Sequence, residues 1–549
     1  MKTTENVMKK SSGESVGTSR SFNLVDEPWI PVVDAADETC KVGLRELFER
    51  SEELVDLSVG TLERISLYRL LICIAQRALV CDEKGGGGLQ NNDEDEWREA
   101  GERFVDAALV YLDQWRDRFD LWGDQPFLQV KALTSAKKKK DEKNKTDKLD
   151  FGLAAGNNKT LFDQASTPEG REHESDWLAR NLLVYLAFSS SGTIGKATIG
   201  KRETGGNSKN APCVERCMLF TFLKGKNLRQ TIAWNMIPFD DEDLGTPAWE
   251  YDDWVSESAM EELAESYAGR LVPVARFVRL EEDGQNVVLA DGVTYPQFNP
   301  KKHWVNREPM AAIIETGDKK EPWNYVKIDP DRRPWRSLHA MLDWSAFKEK
   351  SDRCKGAWNL MNIARISEEE RRKSKKFAIW VGGLKANQGK IIDSAYWSAN
   401  IPWSYVNDTK ENTRISTYAR GVKLANGAEK RLIAAIKKYC ERLGASTQTN
   451  AKSRTSLVVQ AKNRFWTALE RRVDELIAEA AEDKSGLKRW KETLKRELID
   501  AYEKTCACVT ARQIRAFAEG KVFLFGLNNK SGDDKNASTD KPKRTKAKK

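Results

Sequence analysis

The sequence predicts an α+β protein in which a region of mixed helices and strands precedes a helical bundle. Two observations support this. Short apolar runs punctuated by Gly, Pro and Asn occupy roughly the first 400 residues, and long amphipathic runs at helical spacing take over beyond about Asn412. A chain of 549 residues also exceeds what one hydrophobic core usually organises. The expected division is a polar leader at 1–20, a mixed domain at 21–408, a helical domain at 409–528 and a disordered basic tail at 529–549.

The opening "SFNLVDEPWIPVV" alternates apolar and polar residues around Pro28 and Pro31, as an edge strand tolerates. Two amphipathic helices follow, "LERISLYRLLICIAQRALV" from Leu62 to Val80 and "WREAGERFVDAALVYLDQW", separated by the four glycines Gly85 to Gly88 and an acidic run. Seven lysines fall between Lys137 and Lys148 with no apolar residue among them, so a mobile basic loop is expected there. "WLARNLLVYLAF" reads as a helix. "CMLFTFLKGKNLRQTIAWNMIP", ending at Pro238, reads as a strand, a turn at Lys224 to Asn227, and then either a helix or a second strand. "RFVRLEEDGQNVVLADGVTYP" reads as two strands meeting at Asp283-Gly284. "FAIWV" is a strand that empties into "GGLKANQG", and "IIDSAYW" returns from it. The runs "AEKRLIAAIKKYCERL", "FWTALERRVDELIAEAAE" and "LKRWKETLKRELIDAYEKT" form the C-terminal bundle.

Composition bounds the function. Apolar residues at 40% and charged residues at 32%, with eighteen Trp, describe a globular chain with a real core. The net charge of +8 favours a polyanionic partner only weakly. The longest apolar runs are too short to cross a bilayer, and the first twenty residues lack the apolar centre of a secretory signal. Nine cysteines without paired spacing suit a reducing cytoplasm.

Catalytic motifs fail on inspection. "GTIGKATIGKRETGG" supplies Gly195, Gly200 and Lys201 at P-loop spacing, but Arg202 stands where a Ser or Thr hydroxyl would hold Mg²⁺, and the segment follows a helix instead of a strand. Around Gly383, Gly389 and Lys390 the spacing is wrong and Ile391 replaces the hydroxyl residue. His173, His303 and His339 form no ligand pair, and Cys213 with Cys217, or Cys506 with Cys508, lacks a second pair; buried structural thiols are the expectation. The acidic clusters at Asp240 to Asp243 and Glu368 to Glu370 suit solvated turns and helix starts. No enzyme activity, cofactor or metal is expected.

Four segments, in order, resemble one family: "FNLVDEPWIPV" from Phe22, "QPFLQVK" from Gln125, "FLKGKNLRQTIAWN" from Phe222 and "GGLKANQG" from Gly382. The chain resembles the large-subunit (CasA) family of the type I-E CRISPR surveillance complex Cascade, from Phe22 to the helical C-terminus. The resemblance implies an α/β N-terminal domain with recognition loops and a C-terminal four-helix bundle. It implies a cytoplasmic, non-catalytic subunit that finds the protospacer-adjacent motif (PAM) on double-stranded DNA and helps open it for crRNA pairing. Its partners would be target DNA, crRNA, other Cascade subunits and the helicase-nuclease, with no membrane.

Carried over by position, "KANQG" is similar to the family's wedge loop. Gln388 would split the first base pair, Asn387 would donate to an exposed base edge, Gly389 would let the backbone approach the groove, and Lys385 stands beside them. Either Lys301 or Lys302 would reach into the PAM groove. The segment Gly192 to Gly206 is similar to a glycine-rich loop along the DNA backbone, with Gly192, Gly195 and Gly200 permitting close approach and Lys196, Lys201 and Arg202 contacting phosphate. Asn158, Lys159 and Phe162 correspond to a loop that touches the crRNA end and neighbouring subunits. Here the amide pair is flanked by Ala386 and Gly389 where other members differ, which bears on the breadth of PAM acceptance. The competing reading is a protein-only scaffold whose basic loops are incidental.

Overall fold

A computed structural model describes residues 20–82, 94–135, 144–153, 170–239, 244–299, 306–329, 332–342, 356–387, 390–406, 413–444, 448–482 and 486–525. The chain forms two compact units that divide at Asn412/Thr413, and among the described residues the first mixes helix with strand while the second is helical.

The first unit opens with β1 (Ile30–Asp34), β2 (Thr39–Val42) and β3 (Leu54–Leu57), an antiparallel sheet in the order β2-β1-β3. The proline-bearing strand is therefore central, not an edge. Pro28 precedes it, and Pro31 lies ahead of the pairing with β3, which begins at Val32↔Leu57. Helix α1 (Leu44–Glu49) leads on to α2 (Thr61–Cys81), whose run from Ile65 to Leu79 is buried without a break. Such a helix is a core element, not a surface one. Its Arg69 is wholly buried, bonded to Glu308 at 2.8 Å and to the Arg270 and Leu271 carbonyls. Around it pack α3 (Glu94–Gln114) and α4 (Ser175–Phe188).

Four short strands frame the glycine-rich segment: β4 (Leu133–Ser135), β6 (Gly192–Thr193), β7 (Ala197–Ile199) and β8 (Arg202–Glu203), with β9 (Asn207–Ser208) closing it. β5 (Asn144–Lys145) joins β11 (Arg276–Leu280) and β12 (Asn286–Asp291) in the order β11-β12-β5. The end of the lysine-rich run is thus built into the fold instead of forming a loop: Asn286↔Lys145 pair, and Thr146, Asp147 and Leu149 are buried. Residues 136–143 lie outside the described set.

The principal sheet is antiparallel in the order β10-β15-β16, made of β10 (Leu219–Lys224), β15 (Lys376–Asn387) and β16 (Lys390–Pro402). After β10 the chain forms a helix, α5 (Leu228–Asn235), which settles the open alternative. The motif "FLKGKNLRQTIAWN" bolts this strand, turn and helix together. Asn227 caps α5 by accepting from Gln230 N, Thr231 Oγ1 accepts from Gly225 N, and buried Asn235 bonds both the amide and the carbonyl of Leu223. Lys224 pairs with Asp56 at 2.6 Å, tying β10 to β3. A small hairpin, β13 (Ile313–Glu315) with β14 (Trp323–Tyr325), lies between β12 and β15 in sequence.

The second unit contains, among the described residues, five helical segments: α6 (Thr413–Arg442), α7 (Gln448–Glu470), α8 (Val473–Ala481), α9 (Lys488–Glu503) and α10 (Ala511–Phe525). The run expected as one helix, "FWTALERRVDELIAEAAE", breaks at Arg471-Arg472 into α7 and α8. α6 is the axis on which the other four pack. Buried Glu479 accepts from the amides of Arg489 and Trp490, capping α9, and Trp490 donates to the Gly421 carbonyl. A Cβ at Gly421 would sit 2.3 Å from a methyl of Leu476, so a larger residue there would force that leucine to move.

Candidate nucleic-acid interface

The "GGLKANQG" segment is less a loop than the end of a long hairpin. β15 and β16 stay paired from Lys376↔Pro402 to Asn387↔Lys390, leaving two residues of sequence, Gln388 and Gly389, to join them. Both lie outside the described residues, as do the side chains of Asn387 and Lys390. Gly382, Gly383, Lys385 and Ala386 are strand residues. A Cβ on Gly383 would sit 2.5 Å from the Met218 carbonyl oxygen, and one on Gly382 would strike Trp380. The two glycines are needed where β15 crosses β10, at Leu219↔Gly383 and Phe220↔Gly382.

Beyond Gly383 the hairpin runs past the end of β10. There Lys385, half-buried, stands opposite Asp393, and a register shift falls between Lys385 and Ala386. On the side away from β16, Ala386 meets Cys217: its carbonyl accepts from the thiol at 3.3 Å and its amide donates to the sulfur at 3.4 Å. Cys217 is half-buried, whereas Cys213 is fully buried and its thiol is pushed up to about 12 by loss of solvent.

The glycine-rich segment is a set of tight turns. β4-β7-β8 form one small sheet and β6-β9 another. With Ile199 paired to Arg202, Gly200 and Lys201 make a two-residue hairpin turn, for which Gly200 supplies φ +60°. Gly195 also holds a positive φ, and around Gly192, Gly195 and Gly200 there is open space where a side chain would stand. Lys201 is exposed at the turn. Lys196 pairs with Glu203 at 2.7 Å, both largely exposed, so the pair contributes little. Arg202, expected to contact phosphate, is an exposed residue with contacts of its own in the protein. Its guanidinium donates to the Val255 carbonyl at 2.9 Å and lies over the Phe277 ring, on the cluster of Val130, Leu133, Ala197, Phe277, Val288 and Ala290.

Lys301 and Lys302 fall outside the described residues, but the stems on either side of them are built in detail. Arg270 donates to the carbonyls of Pro296 and Asn306, and Asn306 donates to the Gln297 carbonyl. The Phe298 amide donates to the buried Glu215 carboxylate at 2.7 Å. Burial lifts Glu215 to about 7, against the partial offset of that amide and of Arg270 and Arg216. Nothing in the sequence singled out Glu215 or Cys217 for these contacts, because both partners lie far away along the chain.

Asn158, Lys159 and Phe162 also lie outside the described residues. His173 serves structure: its Nε2 is 2.6 Å from Asp147 and its ring stacks on Trp177. Among the described residues no group of three His, Cys, Asp or Glu side chains is placed to hold a metal ion, and no helix is long and apolar enough to cross a membrane.

A family model described as CRISPR-associated protein Cse1 matches residues 23–501. The CRISPR-associated protein CasA/Cse1 of Thermus thermophilus is 27% identical over 540 residues, covering 94% of this chain and 99% of that protein. A crystal structure of Thermus thermophilus CasA superposes with a TM-score of 0.71 at 22% identity, covering 92% of this chain and 99% of the other. A chain from a structure described as a CRISPR RNA-guided surveillance complex superposes with a TM-score of 0.68 at 18% identity over 92% and 99% of the two chains.

Proposed function

The chain belongs to the CRISPR-associated protein Cse1 family, and from that membership we propose that it is the non-catalytic large subunit of a type I-E Cascade complex. In this role it recognises the PAM on double-stranded DNA, wedges the duplex open for crRNA pairing and helps recruit the helicase-nuclease. The observation that best supports the role is the β15/β16 hairpin, which carries "KANQG" at its end and runs past the sheet that anchors it. A rigid two-stranded arm suits a wedge, because unstacking a base step costs a few kcal/mol and a flexible tip would yield first. Amide side chains and backbone at such an end suit the few distinguishing atoms of the minor groove. The Gly200-Lys201 turn presents a cation with open space beside it, as a phosphate contact requires. Lys301 or Lys302 would enter the groove, and Asn158, Lys159 and Phe162 would meet crRNA and neighbouring subunits.

The test is reconstitution with the remaining Cascade subunits and crRNA, followed by binding to duplexes that differ only in the PAM. Affinity should depend on the PAM when this chain is present and lose that dependence when it is omitted. Equal affinity for all duplexes in both cases would leave the protein-only scaffold as the better reading.

A further inference from the structure

Between Pro212 and β10 the chain turns through Arg216 and Cys217, two consecutive non-glycine residues with left-handed backbone, φ +52° and +54°. Each such residue costs on the order of 1 kcal/mol and persists only where its surroundings over-determine it. Here they do. Glu215 receives the Phe298 amide, Arg216 lies over the Phe298 ring and pairs with Glu321 at 3.1 Å, the Cys217 carbonyl receives the Ile328 amide, and the Cys217 thiol both donates to and accepts from Ala386. The Cα atoms of Glu215 and Cys217 are separated by roughly 7 Å at most. Within that span, the stem leading to Lys301 and the far end of the hairpin arm are fastened to the same piece of backbone.

We propose that the Glu215-Arg216-Cys217 elbow is a positioning element that fixes the hairpin arm relative to the stem at Pro296–Phe298, so that the two act on DNA as one body. This rests on the DNA-reading role proposed above. In mechanical terms, among the described residues β15 past Gly383 has no strand beside it except β16, and the thiol stands just ahead of the start of β10. Loss of the thiol frees the arm's outer edge and removes one constraint that holds the elbow in its left-handed bend. The slackened elbow then loosens its grip on Phe298.

The proposal is tested with Cys217→Ala, Cys217→Ser and Ala386→Pro in the full chain. Ala386→Pro deletes the amide that donates to sulfur without touching the elbow. The first measurement is amide hydrogen exchange of the chain alone. Cys217→Ala should speed exchange about tenfold at 384–387 and also at 297–299, and Cys217→Ser, which keeps a donor and an acceptor, should restore much of the protection. Ala386→Pro should carry the same effect to 297–299, and it keeps the test intact if Cys217→Ala does not fold. Faster exchange confined to 384–387 would overturn the proposal, as would a serine variant no better protected than alanine. The second measurement is PAM discrimination in the reconstituted complex. Cys217→Ala should reduce it several-fold while leaving the salt dependence of binding unchanged; unaltered discrimination would also overturn the proposal. Were wild-type binding indifferent to the PAM, the DNA-reading role would fail, while the exchange measurement would still decide whether the elbow couples the two segments.

Discussion

Lys201 and Arg202 are neighbours of like charge at one turn, and Arg202 also carries contacts within the protein. Lys201→Ala should lower the slope of log affinity against log salt by about 0.9 in the reconstituted complex, the value for one lost phosphate contact; an unchanged slope would remove it from the contact surface. Arg202→Ala should leave that slope alone and instead cost about 1 kcal/mol of stability, since its hydrogen bond and ring contact are within the protein. Both residues are legible in the sequence as cations of a glycine-rich segment, but spacing does not reveal which of them folds back. Glu215 is not legible at all, and its environment makes a pH prediction. Burial lifts it from 4.5 to about 7, outweighing Arg270 and Arg216, with Glu308 adding to the rise. An acid raised in this way contributes stability that is fully present below about pH 4.5 and is lost as the pH rises through about 7. Glu215→Gln copies the protonated shape, so it should match wild type near pH 4.5 and exceed it above pH 7 by ~3 kcal/mol at most. Thermal unfolding across that range decides, and a difference independent of pH would contradict it.

Among the elements, the β15/β16 hairpin shows how much periodicity conveys. An apolar run, a break and a returning run mark both strands, but the ladder extends through most of the break. Gly382, Gly383, Lys385 and Ala386 read as loop because glycine and lysine are poor strand formers. Tertiary pairing with β10 overrides that preference, and the close crossing demands the glycines. Gly383→Ala should therefore destabilise the first unit by about 1–3 kcal/mol, the usual cost of overpacking, through contact with the Met218 carbonyl. Unfolding midpoints unchanged from wild type would show that β15 can shift to make room. The opening strand reads as an edge for a related reason. Proline forbids a ladder bond only where its nitrogen would have donated, and β1 pairs with β3 only beyond Pro31. The lysine-rich run reads as wholly unstructured because composition averages over a segment, whereas Thr146 to Leu149 are held individually: the Thr146 amide donates to Gln285 and Asp147 meets His173.

At the scale of the whole molecule, the change from short apolar runs to long amphipathic ones puts the switch of character near Asn412, and the chain divides into units at Asn412/Thr413. The α+β class follows from that contrast. The detail of the second unit does not, because a hydrophobic stripe runs straight through Arg471-Arg472 and does not record the break between α7 and α8. The long-range contacts that assemble the candidate interface are also invisible in the sequence, since Glu215 with Phe298 and Cys217 with Ala386 are pairings of topology, not of local pattern. In the proposed role these contacts hold a rigid arm whose end opens DNA. The most direct measurement is the rate of target opening by the reconstituted complex on an intact duplex and on one already unpaired beside the PAM, with wild-type chain and Gln388→Ala. The wedge role requires Gln388→Ala to slow opening of the intact target by about tenfold or more, the equivalent of losing roughly 1.4 kcal/mol from the few that unstacking a step costs, while leaving the pre-melted target near the wild-type rate. An equal loss on both targets, or none on either, would contradict it.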